Sequence, residues 1–313
     1  MIKIGLIDSG IGGFSILNAF LAAPPLNRTQ FIYIADSGHL PYGVKSDAYI
    51  HERMERLTAE LLSRKIDALV IACNTATAVS AERLREKYPD LIIIGIEPAI
   101  KLAATATKSG HIAVAATLST LHSERLESLK ERFAKDQILH KIVGSEWVNL
   151  VEAQKLTLEH NQEILLETLE PLSRYPVDQL VLGCTHFPFL MPALKALLPK
   201  EITIIDPANA IVQECYSQIS ARYPHLISPL YTASNIIGPS DTRDEDIREH
   251  EKESDIININ GHIESRSIRR SETKLEKRKR VQLLTTSELK DFQRQLSLLD
   301  AVGVPIEIAK IDT

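Results

Sequence analysis

The chain reads as an α/β fold: two similar domains with mostly parallel sheets flanked by helices, related by a pseudo-twofold and meeting in a cleft. Three observations predict this. From Met1 to His225, short apolar runs rich in β-branched residues alternate with amphipathic stretches. That order is the mark of strand-helix units and a parallel sheet. Runs such as ALVIA and LIIIG carry no polar alternation, as expected of strands covered on both faces. The third observation is a near-repeat: IDALVIACNT, ending past Cys73, is matched by VDQLVLGCTH, ending past Cys184. Each copy runs on to a second apolar stretch closing on acid-Pro, IIIGIEP and ITIIDP.

The elements follow in order. Strands are predicted at 3–7, 30–34, 68–72, 91–94, 111–115, 138–143, 179–182 and 201–205. Helical patterns fill the gaps, for example 49–64 and 77–88, the latter stopping before Pro89. IGLIDS (4–9) is matched by IAVAAT (112–117), and the step from Asp8 to Cys73 is nearly the step from Thr117 to Cys184. At 235–280 the composition changes to dense charge, including DTRDEDIREHEKESD and KLEKRKR. Such composition favours a solvated, loosely packed excursion, with KLEKRKR as a solvated face or helix end. The core then resumes: VQLL as a strand, and a helix N-capped by Ser287 with Leu289, Phe292, Leu296 and Leu299 on one face. Gly303 follows its end, and PIEIAKI reads as a last strand.

Composition narrows the function. The 313 residues suit two domains, and 44% hydrophobic content supplies real cores. A net charge of −5 gives no reason to expect nucleic acid or an anionic membrane as partner. No apolar run reaches the ~20 residues that span a bilayer. MIKIGLIDSG enters a strand at once, without a signal-peptide pattern. Cys73, Cys184 and Cys215 form no disulfide framework, and zinc-ligand spacings are absent, so the expectation is a reduced, cytoplasmic protein without a metal.

Ligands of open parallel sheets bind at the carboxyl ends of strands. Asp8, Asp36, Cys73, Glu97, Thr117 and Cys184 all fall at or just after such an end. A lone cysteine is most often a small buried hydrophobe, and Cys215, inside AIVQECYSQIS, is read that way. Two matched cysteines at strand ends are different. An ordinary thiol titrates near 8.5, and a helix N-terminus after Cys73 or Cys184 would help to ionise it. Facing thiols suit moving a proton from one face of a carbon to the other. Asp8 could orient a neighbour or N-cap the helix after GIGG. His186 could shuttle a proton beside Cys184. The glycines of DSGIGGF offer backbone N–H groups as a cradle for a carboxylate or phosphate. Asn74, Thr75, Thr117, Thr120 and Thr185 are neutral donors able to hold an amino acid.

On these motifs the chain resembles the cofactor-independent glutamate racemases of the aspartate/glutamate racemase superfamily. GLIDSGIGGFSIL (5–17), ADSGHLPYG (35–43), ACNTAT (72–77), GIEPAIK (95–101), LVE (150–152) and LGCTHFPFL (182–190) carry the resemblance. PYG and CTHFP favour glutamate over aspartate. The resemblance implies that Cys73 takes the proton from D-glutamate and Cys184 from L-glutamate. Asp8 would assist Cys73, and His186 and Glu152 would assist at Cys184. Asp8, Ser9, Tyr42, Gly43, Asn74, Thr75, Thr185 and His186 would bind substrate, with Thr117 and Thr120 nearby. No pyridoxal phosphate is implied, the product would supply peptidoglycan synthesis, and a homodimer is compatible. One domain would be 1–97 plus 208–313 and the other 98–207. Leu126 stands where the family usually has an aromatic, and the charged excursion is longer than the family needs.

Other readings leave more unexplained. An aspartate racemase is the nearest. A nucleotide-binding oxidoreductase would use Gly10-x-Gly12-x-x-Ser15, which lacks the third glycine. That reading, like a non-catalytic binding protein, gives the paired cysteines no role.

Overall fold

The structure is a computed structural model that describes residues 1–227, 279–301 and 304–313. Two parallel sheets organise it. The first has six strands in the order β10-β9-β2-β1-β3-β4: β1 is Ile2–Asp8, β2 Thr29–Ala35, β3 Ala68–Ile71, β4 Ile92–Gly95, β9 Lys279–Thr285 and β10 Ile306–Lys310. The second has four strands in the order β6-β5-β7-β8: β5 is His111–Ala116, β6 Ile138–Val143, β7 Gln179–Leu182 and β8 Thr203–Ile205. The order β2-β1-β3-β4 is repeated strand for strand by β6-β5-β7-β8. The sequence repeat therefore lands on equivalent positions: IGLIDS on β1, IAVAAT on β5, and the cysteine-bearing copies on β3 and β7.

The unalternated strands are buried on both sides, as their sequences require. Ile4 and Leu6 face one core while Ile7 faces the other, and Val70 and Ile71 divide the same way. On one face of the first sheet lie α1 (Phe14–Ala22) and α10 (Ala208–Arg222). On the other lie α2 (Asp47–Ser63) and α3 (Asn74–Lys87). Ser46 caps α2, its hydroxyl accepting from the Tyr49 N–H, and Ile50, Met54, Leu57 and Leu61 form the buried stripe. Each such side chain contributes about 1.5–3 kcal/mol on burial. The second sheet packs α4 (Ile100–Ala106) and α6 (Glu124–Phe133) on one face, with Leu126 buried there. Its other face takes α7 (Ser145–Glu152), α8 (Leu158–Leu169) and α9 (Met191–Leu197). A short α5 (Leu118–Leu121) follows β5, and α11 (Leu289–Arg294) follows β9.

Several predicted boundaries move. Helix α3 starts at Asn74 rather than 77, directly after Cys73. The strand predicted at 201–205 shortens to β8. The helix expected to be capped by Ser287 begins two residues later. Its flanking residue Glu288 makes no side-chain cap, and the Ser287 hydroxyl pairs with Thr285 instead. The helix also gives way at Gln295 to a 3-10 turn, Gln295–Leu298. Gly303 lies outside the described residues.

The charged excursion predicted at 235–280 lies outside the described residues except for its last two, and these correct the expectation of a solvated run. Lys279 and Arg280 open β9, and Lys279 is buried. The Lys279 ammonium donates to the carbonyls of Phe20, Leu21 and Ala23 at the end of α1. A cation there satisfies orphan carbonyls and the negative end of the helix dipole. Burial pushes its pKa down to about 8.

Candidate active site

A cavity of about 240 Å³ opens between the carboxyl ends of the two sheets. From the first sheet it receives Ser9 after β1, Tyr42 and Gly43 from a turn after β2, and Cys73, Asn74 and Thr75 after β3. From the second it receives Thr117 and Thr120 after β5, and Cys184, Thr185 and His186 after β7. Both cysteines thus reach one cavity from equivalent strands of the two sheets. Cys215 stays in α10, fully buried among apolar side chains.

Cys73 occupies the N-cap position of α3. Its thiol lies 3.8 Å from the Ser9 hydroxyl. Burial pushes the thiol up to about 12, and the neighbouring Asp8 carboxylate adds to the rise, while the Ala76 N–H works against it. The helix terminus alone therefore does not ionise this thiol. A nearby positive charge, such as an amino acid's ammonium, would favour the thiolate.

The surroundings of Cys184 differ. CTHFP does lead to the next helix, α9, but through a 3-10 turn, Phe187–Leu190, so the α-helix does not begin directly after the thiol as it does at Cys73. What stands beside the thiol is His186, its Nδ1 3.7 Å from Cys184 Sγ. On the far side of the ring, Nε2 pairs with Glu152 Oε1 at 2.7 Å. Burial opposes a charge on His186, but the hydrogen bonds to Cys184 and Glu152 outweigh it and hold its pKa well above the ordinary value. Burial likewise opposes ionisation of Glu152, yet the bond to His186 carries its pKa below the usual range.

The glycine-rich loop after β1 explains how these groups are held. Its Ile11 N–H donates to Glu152 Oε1 at 3.2 Å, and its Gly10 N–H to Asp8 Oδ2 at 3.1 Å. The carboxylates it cradles belong to the protein, whereas the sequence suggested a ligand's. A Cβ on Gly10 would fall 2.3 Å from Glu152 Oε1, and one on Gly12 would fall 2.3 Å from His186 Nδ1. Glycine is needed at both because the loop lies against the His186–Glu152 pair.

Asp8 and Glu152 stand one layer behind the cavity wall. Asp8 is fully buried and accepts from the Thr185 hydroxyl at 3.3 Å, so it ties the first sheet to the Cys184 loop. Its pKa is raised by burial, an effect reduced by the charge on His186. It does not cap α1, whose N-cap is Gly13 with no side-chain bond. Asp36 and Glu97, the other strand-end acids, do not line the cavity. Glu97 pairs with Arg125. Asp36 accepts from the Tyr42 hydroxyl at 2.6 Å, from Arg53 at 2.7 and 3.0 Å, and from Thr286 at 2.9 Å. Tyr42 therefore gives the cavity its ring, with its hydroxyl already committed.

Much of the remaining polar wall is neutral, Glu146 being the exception. The hydroxyls of Thr75, Thr117 and Thr120 lie 3.1–3.3 Å from one another. Both amide atoms of buried Asn74 lack a partner among the described residues. Unmet buried polar atoms cost about 1–3 kcal/mol each, which suits a side chain reserved for a ligand. Three polar wall residues escaped the sequence reading: Ser145, Glu146 and Asn149 of α7. Their signal was their place after β6, at the same rim as the other strand ends. No group of three or more His, Cys, Asp or Glu among the described residues has the geometry to hold a metal. No described helix is long and apolar enough to cross a membrane.

Comparison with known proteins gives a consistent family. A glutamate racemase from Ectopseudomonas mendocina is 44% identical over 211 residues, 67% of this chain and 80% of that protein. One from Pseudomonas aeruginosa is 42% identical over 219 residues, 70% and 82% of the two chains. Among solved structures, Escherichia coli glutamate racemase with L-glutamate aligns with a TM-score of 0.70 at 25% identity, covering 100% of this chain and 99% of that one. A glutamate racemase from Bacillus anthracis has the same fold, with a TM-score of 0.74 at 23% identity and coverage of 99% and 97%. The Asp/Glu/Hydantoin racemase family model matches residues 20–215, and the chain belongs to that family.

Proposed function

We propose that this protein interconverts L- and D-glutamate by moving the Cα proton between two thiols, Cys73 on one face and Cys184 on the other. It is an amino-acid racemase, an isomerase, and its similarity to glutamate racemases supports glutamate as the substrate. The observation that carries the two-thiol reading is the cavity itself, where both sulfurs converge from equivalent strands of two matching sheets.

The chemistry follows from the wall. A thiolate takes the α-proton, the C–H electron pair remains as a carbanion spread into the carboxylate, and the opposite thiol delivers its own proton. The α-hydrogen is a very weak acid, so the developing charge must meet fixed donors in a shielded site. The N-terminus of α3, the amide of Asn74 and the threonine hydroxyls supply them. Asp8 acts toward Cys73, and His186 with Glu152 toward Cys184. Ser9, Tyr42, Gly43, Asn74, Thr75, Thr117, Thr120 and Thr185 form the substrate wall. We take the chain as two domains, 1–97 with 208–313 and 98–207. We assign it to the cytoplasm, as a homodimer that supplies D-glutamate for peptidoglycan.

The test is incubation with L-glutamate in D₂O without added cofactor. Two exchanging bases predict that the D-glutamate first formed carries deuterium at Cα while the remaining L-glutamate keeps its proton. Early deuterium in the recovered L-glutamate, or racemisation of aspartate with glutamate untouched, would sink the proposal.

A further inference from the structure

The chain past the charged region supports the site from two sides: Thr286 holds Asp36 behind Tyr42, and Gln295, which the reading so far leaves without a role, holds Glu152. Glu152 has two carboxylate oxygens with different duties. Oε1 faces His186 and the Ile11 N–H. Oε2 accepts from the Gln295 amide at 2.9 Å, and among the described residues it has no other donor. The same amide lies 3.3 Å from the Glu152 carbonyl. The contact is fixed from both sides, because the Gln154 amide donates to the Arg294 carbonyl at 2.7 Å and reaches the Ser297 hydroxyl at 3.2 Å. The turn at 294–297 is therefore stapled to the end of α7. A carboxylate held at one oxygen can still swing about its terminal torsion, whereas one held at both presents Oε1 in a single direction.

We propose that Gln295 is a positioning residue for the Cys184 half of the reaction: by holding Glu152 Oε2, it keeps Oε1 on His186 and His186 aimed at the Cys184 sulfur. Among the described residues no such run of side-chain hydrogen bonds joins it to Cys73, so its influence is one-sided. The inference rests on the two-thiol reading above.

One-sidedness cannot be seen in racemisation itself, because the equilibrium constant of unity ties kcat/KM in the two directions together. It can be seen with 3-chloroglutamate of each Cα configuration. There one thiolate takes the α-proton, the C–H pair becomes the Cα–Cβ double bond, and chloride leaves with the C–Cl pair. Only one base is used. Cys184→Ser should abolish elimination from the L-configured compound and spare the D-configured one, and Cys73→Ser the reverse. Gln295→Leu, similar in size but without a donor, should slow the L-configured elimination about tenfold and change the other less than about twofold. Gln295→Glu sets a carboxylate against Glu152, so its L-side loss should be larger at about pH 8.5 than at about pH 6.5, where the pair can share a proton. A merely structural staple would loosen both faces alike and give Gln295→Glu no such pH dependence. Melting temperatures near wild type confirm folding, and Gln295→Glu carries the test if Gln295→Leu does not fold. If the cysteine variants split as stated but the Gln295 variants slow both substrates equally or neither, this inference alone is overturned. If the cysteine variants do not split, the two-thiol reading fails and takes the inference with it.

Discussion

Gly12→Ala adds one methyl group at the point where the glycine loop meets the site. Gly12 has no left-handed φ, so its backbone accommodates alanine without strain. The effect is steric alone. The new Cβ would sit 2.3 Å from His186 Nδ1, 2.5 Å from its Cε1 and 2.6 Å from Thr185 Oγ1. Restoring ordinary contact requires the ring to retreat by about 1 Å. His186 has little room to do so, because Glu152 holds its far nitrogen at 2.7 Å and Cys184 lies 3.7 Å from the near one. A displacement of that size at a reacting group costs roughly 100-fold in rate, and overpacking costs about 1–3 kcal/mol of stability. Gly110→Ala is the control, with a φ of 76° and nothing within 4 Å of its Cβ. It should lose about 1–2 kcal/mol through backbone strain and no activity. Glutamate racemisation followed by circular dichroism, with melting curves on the same samples, measures both quantities. If Gly12→Ala keeps kcat/KM within threefold of wild type, or Gly110→Ala loses as much activity, the placement of His186 does not limit the reaction as argued.

Two further outcomes are expected. Cys215→Ser should leave kcat unchanged while lowering stability by about 1–3 kcal/mol, since it puts a hydroxyl among the apolar residues of α10; a large fall in kcat would give this thiol a role in the site. Glu152→Gln should destabilise the fold by about 3 kcal/mol, the low end for a broken buried ion pair because the amide retains a hydrogen bond. His186 titrates higher folded than unfolded, so its contribution is full below about pH 6.5 and is lost as pH rises through the folded value. Glu152 titrates lower folded than unfolded, so its contribution is present above about pH 4.3 and is lost as pH falls through the folded value. The melting-temperature gap between wild type and Glu152→Gln should accordingly be widest between those limits. A gap that does not vary with pH would show that the pair is not ionised in the folded protein.

The residues themselves determined the sheet and the thiols. Runs such as ALVIA and LIIIG are the mark of strands covered on both faces, and β3 and β4 divide their side chains between two cores in that way. The repeat singled out Cys73 and Cys184 because equivalent strands place equivalent ends at one rim. Local composition also read correctly that Cys215 packs in a core. It misread Lys279, since only the approach of α1 supplies the three carbonyls that make a buried lysine tolerable. Likewise, DSGIGGF announced a close backbone approach without saying to what. The answer, Glu152 and His186, depends on contacts spanning 141 residues or more, as does the hold of Gln295 on Glu152 across 143. The commitment of the Tyr42 hydroxyl to Asp36 needs Arg53 from α2 and Thr286 from beyond the charged region. Periodicity records which face of an element avoids water, so it determines strands, helices and the rim where their ends collect. Which partner fills each hydrogen bond at that rim is decided only when distant segments pack, because no local pattern encodes the distance between two side chains on different elements.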